Sequence, residues 1–341
     1  EEEKKMLKKI TGSVALAMAL SCSPALAQDY ELTFQSSDSP GIFMYQMAEN
    51  YGKWVDEMSE GRVKISVAPV GSVVQYNETL DAVTSGILQG EFTDPSYFAG
   101  LDPAFGLIGN TVGAFGHPSE ALKFLNYGGG KEIFQKLYDK YNVHLIGVVI
   151  TGVEAFVSAK PLNGVDDLKG LKMRAPEGMV QKVFAAAGAA PVNLPGSEVY
   201  TSLEKGVIDA ADYTLFSVNQ QQGMHKIGKY PVFPGFHSMP LQVVTINKDI
   251  WNELPESIQT MMETAVWRLA TEVYFQYEML DLEAAAQARA EGIQISDWSL
   301  EERAKFRNIA REQWESVTSQ SPIAKEYADA LVTFMQSQGL M

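Results

Sequence analysis

The feature that most constrains the fold of this chain is a long, uninterrupted helical stretch near its C-terminal end. From residue 255 to about residue 291, apolar side chains recur at helical spacing and neither Gly nor Pro interrupts the run. An α-helix rises about 1.5 Å per residue, so this stretch predicts a helix roughly 50 Å long. That length exceeds the diameter of one lobe of such a chain. We therefore expect the helix to span two lobes.

The rest of the sequence indicates an α/β protein. Strand-like segments at 30–34 and 63–67 flank an amphipathic helical segment, and a second α/β series begins after residue 151. Such alternation predicts largely parallel sheets covered by helices, and the apolar run at 144–150 is typical of a buried parallel strand. We expect two lobes. The first contains 28–150 with roughly 237–270, and the second contains 151–236 with roughly 271–341.

The first 27 residues have the pattern of a secretory signal peptide. Lys8 and Lys9 precede an apolar core, and Ala25-Leu26-Ala27 offers small residues for cleavage after about Ala27. The apolar core is about half the roughly 20 residues that a membrane-spanning helix needs, so we expect no direct membrane insertion. The one cysteine, Cys22, lies inside this leader. We therefore expect a periplasmic protein that has neither a disulfide nor a cysteine nucleophile.

The charge and the motif content narrow the function classes. A formal net charge of −15 disfavours nucleic acid and anionic lipid as partners, and it means that an anionic ligand needs a local cation. Neither a Gly-x-Gly-x-x-Gly fingerprint nor a Gly-x-Ser-x-Gly elbow occurs, and Gly128-Gly129-Gly130-Lys131 fits a turn after a helix better than a phosphate cradle. The four histidines have no zinc-site spacing. A binding protein is favoured over an enzyme.

Arg174 is the most informative single residue. It follows the strand-like Leu171-Lys172-Met173 and precedes Ala175-Pro176, and the proline should end the strand. The guanidinium would then lie at the carboxyl end of a strand, where ligands gather in open α/β sheets, and its planar fork can hold a carboxylate. The alternative, which position alone does not separate, is an edge arginine paired to a surface carboxylate.

Three longer segments resemble a known family: Asp166-Asp167-Leu168-Lys169-Gly170-Leu171-Lys172-Met173-Arg174, Val199-Tyr200-Thr201-Ser202-Leu203-Glu204-Lys205-Gly206-Val207-Ile208-Asp209-Ala210-Ala211, and Asn247-Lys248-Asp249-Ile250-Trp251-Asn252-Glu253-Leu254-Pro255. With them, the chain from about Tyr30 to about Tyr327 resembles the extracytoplasmic solute-binding proteins of tripartite ATP-independent periplasmic (TRAP) transporters, the DctP-like family. Three further segments are most similar to its branch that binds 2-oxo acids and lactate-like monocarboxylates: Gly100-Leu101-Asp102-Pro103-Ala104-Phe105, Tyr127-Gly128-Gly129-Gly130 and Phe233-Pro234-Gly235.

The resemblance implies a two-lobed, periplasmic-binding-protein-like clam that closes on a small organic acid, such as a 2-oxo, 2-hydroxy or sugar-type monocarboxylate. It implies delivery of that ligand to TRAP membrane permease subunits, by a protein that is a monomer or a homodimer. The ligand carboxylate would meet the arginine that matches Arg174. The candidate ligand-binding residues are Tyr97, Glu154, Arg174, Asp212, Tyr213, Phe216 and His237.

The resemblance also raises the question of a bound cation. In the 2-oxo acid branch a metal ion bridges protein and ligand, and here the matching positions carry Glu154, Asp212-Tyr213 and Ser238. Glu154 and Asp212 are therefore the candidate ligands for Ca²⁺ or Na⁺. With a ligand carboxylate they would place three negative charges against Arg174 alone, which either a cation or an outward-turned carboxylate would relieve.

Two other functions stay open at this point. A periplasmic, metal-assisted lyase could use Glu154 and Asp212 as metal ligands, although no nucleophile or cofactor motif supports it. A ligand-sensing adaptor for a receptor kinase would share the same binding site, and the sequence does not separate it from a transport protein.

Overall fold

Two mixed β-sheets hold the strands of the computed structural model, which describes residues 30–176, 178–194 and 196–340. The predicted signal peptide at 1–27 lies outside these residues. The first sheet has the order β2-β1-β3-β9-β4, and the second has the order β5-β8-β6-β7. The strands are β1 Tyr30–Ser36, β2 Val63–Ala68, β3 Gly90–Thr93, β4 Val143–Ile150, β5 Ala155–Ser158, β6 Lys172–Arg174, β7 Ala190–Val192, β8 Ala210–Thr214 and β9 Leu241–Asn247.

Helices cover both sheets. They are α1 Phe43–Met58, α2 Thr79–Thr84, α3 Pro103–Gly109, α4 Pro118–Tyr127, α5 Gly130–Asp139, α6 Met179–Ala186, α7 Gly196–Glu204, α8 Phe216–Gln221, α9 Lys248–Glu253, α10 Glu256–Ala290, α11 Leu300–Thr318 and α12 Pro322–Ser337. Short 3₁₀ helices lie at Pro95–Phe98, Val165–Leu168 and Met224–Lys226. Within the described ranges, none of the helices combines the length and the apolar character that crossing a membrane requires.

Helix α10 spans both lobes, as the sequence predicts. Its N-terminal part buries Ile258, Met262 and Leu269 against the first sheet. Its C-terminal part buries Ala284, Ala285 and Ala288 against residues of the second sheet region. The helix ends before Gly292, whose φ of +85° places it in the left-handed conformation that commonly terminates helices. The two-lobed α/β architecture is therefore built around a shared helical spine.

The direction expected for strand β4 from the sequence pattern was wrong. The run at 144–150 was expected to be a parallel strand, but β4 pairs with β9 in antiparallel orientation. The run is apolar because α10 and α5 both pack on β4, so burial on two faces explains the composition whatever the strand direction. Antiparallel pairs also join β3 to β9 and β5 to β8, so neither sheet is purely parallel.

The chain crosses between the sheets more than once. It passes from β4 to β5, returns through 232–240 into β9, and continues into α10. The first two crossings touch, because the Glu154 amide donates to the Ser238 carbonyl at 2.9 Å. Helix α11 also bridges the lobes, since it packs on α6 and on α3, whereas α12 packs on α3 and α5 of the first lobe. The lobe boundaries near residues 150, 236 and 270 stay a prediction.

Candidate functional site

A cavity of about 320 Å³ lies between the two lobes, and five of the predicted site residues line it. Its first-lobe wall comes from the 3₁₀ helix after β3 and from α3. Its second-lobe wall comes from the ends of β6 and β8 and from the start of α6. Polar and ionisable lining residues are Asp94, Ser96, Tyr97, Asn110, Glu154, Arg174, Asp212 and Tyr213.

Arg174 is the last residue of β6, so its side chain emerges where the strand ends. Its Nε donates to the Leu194 carbonyl at 3.2 Å, and its Nη1 donates to the Asp212 carbonyl at 2.7 Å. Among the described residues, Nη2 has no hydrogen-bond partner. Two backbone carbonyls thus hold the guanidinium in place, and donor capacity remains for an anion.

Asp212 lies on β8, and its side chain is held from inside the protein by His237. The His237 Nε2 to Asp212 Oδ1 distance is 2.7 Å, and the two side chains are 0% and 1% exposed. Burial raises the pKa of Asp212, but His237 and Arg174 together outweigh that effect and leave the pKa below its ordinary 3.8. Asp212 is therefore ionised at neutral pH and is already paired.

Glu154 follows β4 in the first crossing and stands beside Asp212. Burial, and then the neighbouring Asp212 charge, raise the pKa of Glu154 well above its usual 4.5, although Arg174 opposes the shift. Glu154 therefore gains a proton more readily than an exposed glutamate does. The expectation of three negative charges against Arg174 alone did not include His237, whose Nε2 lies 2.7 Å from Asp212 Oδ1.

The first-lobe wall adds residues that sequence reasoning missed. Asp94 caps the 3₁₀ helix by accepting from the Ser96 amide at 2.8 Å, and burial raises the pKa of Asp94 to about 6. Asn110 donates to the Ser238 hydroxyl at 3.0 Å and so ties α3 to the second crossing. The signal for Asp94 was present, because Asp94-Pro95-Ser96 directly follows the strand-like segment that ends at Thr93.

The predicted residues separate into three groups. Tyr97, Glu154, Arg174, Asp212 and Tyr213 line the cavity. His237 stands behind Asp212 and contributes through it. Phe216 is fully buried away from the cavity, where its ring centroid lies 4.3 Å from that of His225 and 4.9 Å from that of Phe233.

A second cavity, of about 180 Å³, lies beside α10 and suits a carboxylate less well. Glu278 and Asp281 contribute acidic groups to its wall, and the described residues that line it include no Lys or Arg. The cavity at Arg174, which combines a cationic group with four other predicted residues, is the candidate site.

The model of the bacterial extracellular solute-binding proteins, family 7, which is also called DctP, matches residues 34–321. The chain belongs to this family. A monocarboxylate 2-oxoacid-binding periplasmic protein of Nostoc sp. is 31% identical over 282 residues, which cover 82% of this chain and 77% of the Nostoc protein. The resemblance stated from sequence motifs is thereby confirmed.

Solved structures of TRAP periplasmic solute-binding proteins share the fold of this family 7 chain. One from Rhodobacter sphaeroides, in an apo open state, is 50% identical with a TM-score of 0.85, and the match covers 91% of this chain and 99% of that one. Another, from Colwellia psychrerythraea with bound calcium and pyruvate, is 27% identical with a TM-score of 0.76 and coverages of 92% and 96%. The family and these relatives are transport proteins rather than enzymes, so the lyase alternative is not carried further.

The Colwellia structure contains calcium, so the side chains of this family 7 site can be compared with the ligands that calcium requires. Glu154, Asp212 and His237 can bring one ligand atom each to within 4.8 Å of the others. Calcium and sodium prefer several oxygen donors, whereas one of these three atoms is an imidazole nitrogen that is already hydrogen-bonded to Asp212. The residues present do not fit a hard cation of that kind.

Proposed function

We propose that this TRAP solute-binding protein captures a small monocarboxylate of the 2-oxo, 2-hydroxy or sugar-acid type between its lobes. After removal of the leader at about Ala27, the mature protein works in the periplasm. There it delivers the ligand to permease subunits in the membrane. The Nostoc relative, which is named for 2-oxoacid binding, and the Colwellia protein with pyruvate both support this ligand class.

The observation that carries the proposal is the fixed guanidinium of Arg174. Its Nε and Nη1 are committed to backbone carbonyls, which orients the group before any ligand arrives. Preorganised charge-assisted donors bind a carboxylate strongly, since no reorientation has to accompany binding. Arg174 also supplies the positive charge that an anion requires in a chain of net charge −15.

The first-lobe wall of the cavity is suited to a ligand that also carries hydroxyl or carbonyl groups. Asp94, Asn110 and Tyr97 place acceptors and donors across the cavity from Arg174. A volume of about 320 Å³ is near the lower end of the range for ligand pockets, which favours a small acid over a peptide.

The test is a thermal-shift panel followed by calorimetric titration. Pyruvate, L-lactate, D-gluconate and malonate should be compared with neutral sugars and dipeptides at matched concentrations. We expect a rise in melting temperature with at least one monocarboxylate and none with the neutral compounds. Stabilisation by sugars or dipeptides without any response to carboxylates would refute the proposal.

A further inference from the structure

We propose that this protein holds its carboxylate ligand without a bridging metal ion, because the Oδ1 atom of Asp212 is already hydrogen-bonded to His237 and the three clustered side chains are a poor donor set for a hard cation. The inference deepens the proposed function and rests on it. It sets this chain apart from the Colwellia protein, whose structure contains both calcium and pyruvate.

His237 is held in a fixed position. Its carbonyl accepts from the Gly113 amide at 2.7 Å. Its ring lies among the rings of Phe156, Phe184 and Phe236, with centroid distances of 5.6, 5.5 and 5.1 Å. A ring packed in this way does not swing aside without disturbing the aromatic cluster, so Nε2 stays within 2.7 Å of Asp212 Oδ1.

The hydrogen bond of His237 also reaches the ligand anchor. Asp212 accepts from His237 through its side chain and from Arg174 through its backbone carbonyl, at 2.7 Å in each case. His237, Asp212 and Arg174 therefore form one connected chain from the aromatic cluster to the cavity. His237 is a positioning residue that stabilises Asp212, and Asp212 in turn orients the guanidinium.

The chemistry of the donors points the same way. A cation that bound Asp212 at Oδ1 would displace a buried hydrogen bond and leave a second ring nitrogen without a partner, since His237 Nδ1 has none among the described residues. Of the three candidate donors, two are carboxyl groups and the third is a nitrogen, whereas calcium takes six to eight oxygen ligands. An imidazole suits Zn²⁺ better, so zinc belongs in the test.

The first experiment measures binding with metals controlled. Protein treated with EDTA and freed of the chelator is titrated calorimetrically with pyruvate, L-lactate and D-gluconate, alone and with Ca²⁺, Na⁺ or Zn²⁺. We expect the dissociation constant to change by less than about threefold across these conditions, and native mass spectrometry to show ligand bound without metal. Binding that disappears on chelation and returns with Ca²⁺ or Zn²⁺ would overturn the inference and leave the proposed function intact.

The second experiment changes the histidine. His237→Glu replaces the nitrogen with carboxylate oxygens, so Ca²⁺ should tighten ligand binding by about tenfold or more in this variant and not in the parent. His237→Gln keeps an N–H donor toward Asp212 and should bind without metal. His225→Gln is the matched control, because His225 is also buried and lies away from the cavity.

If the glutamate variant does not fold, the His237→Phe variant tests the same inference. It keeps the aromatic packing and removes the donor, so ligand affinity should fall by about tenfold or more while the glutamine variant retains binding. Equal ligand affinity in the parent, glutamine and phenylalanine variants would contradict the positioning role. Absence of carboxylate binding by the parent in every metal condition would contradict the proposed function itself, and this inference with it.

Discussion

Backbone carbonyls orient the guanidinium of Arg174, whereas many surface arginines are oriented by a paired carboxylate. The carbonyls of Leu194 and Asp212 fix the guanidinium without neutralising its charge. Sequence reasoning left open an edge arginine paired to a surface carboxylate, and Arg174 makes no ion pair of that kind among the described residues. Its position at a strand end was predictable from the following Pro176. The role of His237 was not predictable, because His237 and Asp212 are distant in sequence and meet only in the folded chain.

Replacing Arg174 tests whether geometry or charge binds the ligand. Arg174→Lys keeps the charge but not the planar group that the two carbonyls orient, so we expect ligand affinity to fall roughly ten- to a hundredfold. Calorimetric titration with the best ligand of the panel measures the change. Lys172→Arg is the matched control, since Lys172 is an exposed residue of the same strand. Unchanged affinity in a folded Arg174→Lys protein would make Arg174 a structural residue.

Glu91 predicts a dependence of stability on pH that does not involve the ligand. It is fully buried on β3, and burial raises its pKa from 4.5 to about 7, although hydrogen bonds from Thr79 and Thr245 oppose the shift. Below pH 4.5 Glu91 is neutral in both the folded and the unfolded chain. As pH rises from 4.5 to about 7, ionisation favours the unfolded chain, so the free energy of unfolding falls by on the order of 3 kcal/mol.

Urea denaturation at pH 5 and pH 8 checks this effect. The parent should lose more stability between the two pH values than Glu91→Gln, whose amide does not titrate. Glu49→Gln, at an exposed position on α1, should behave like the parent. A Glu91→Gln protein with the same loss of stability as the parent would show that the folded-state pKa of Glu91 is not raised.

At the scale of elements, the packing of α10 on β4 helps to hold the first lobe together. The length of α10 was predictable, because a run without Gly or Pro at helical spacing has few alternatives. The direction of β4 was not predictable, since an apolar run reports burial and carries no information about its partner strand. Gly147, inside β4 at an irregularity in the pairing with β9, allows the helix to approach closely.

Gly147→Ala should therefore be destabilising. A Cβ at this position would lie 2.5 Å from Cγ1 of Val266 on α10, which is too close for either atom to remain in place. Overpacking of this kind costs about 1–3 kcal/mol of folding free energy. Val266→Ala removes the clashing methyl group, so the double variant should lose less stability than the sum of the two single variants. Additive losses in urea denaturation would argue against this close contact.

At the scale of the whole molecule, the site is completed by groups from both lobes. Asp94 and Tyr97 belong to the first wall, and Arg174 and Asp212 belong to the second. The two-lobed architecture followed from the two α/β series and from one long helix. The contents of the site followed only in part, because Asn110 and His237 acquire their roles from contacts at the crossings, which bring distant segments together.

A ligand that touches both walls should shift an open-closed equilibrium toward the closed state. Small-angle X-ray scattering should therefore show a smaller radius of gyration with saturating ligand than without it. The Arg174→Lys variant at the same ligand concentration is the control and should compact less. An unchanged radius in the parent at proven saturation would count against hinge closure.

A comparison of acids with their neutral amides tests whether Arg174 recognises a carboxylate. Pyruvate, L-lactate and D-gluconate should each be titrated calorimetrically beside the corresponding primary amide, which has nearly the same shape and no charge. We expect at least one acid to bind more than about a hundredfold more tightly than its amide, because the amide forfeits the charge-assisted hydrogen bonds of the guanidinium. Equal binding of acid and amide would show that Arg174 does not recognise the charge of the ligand.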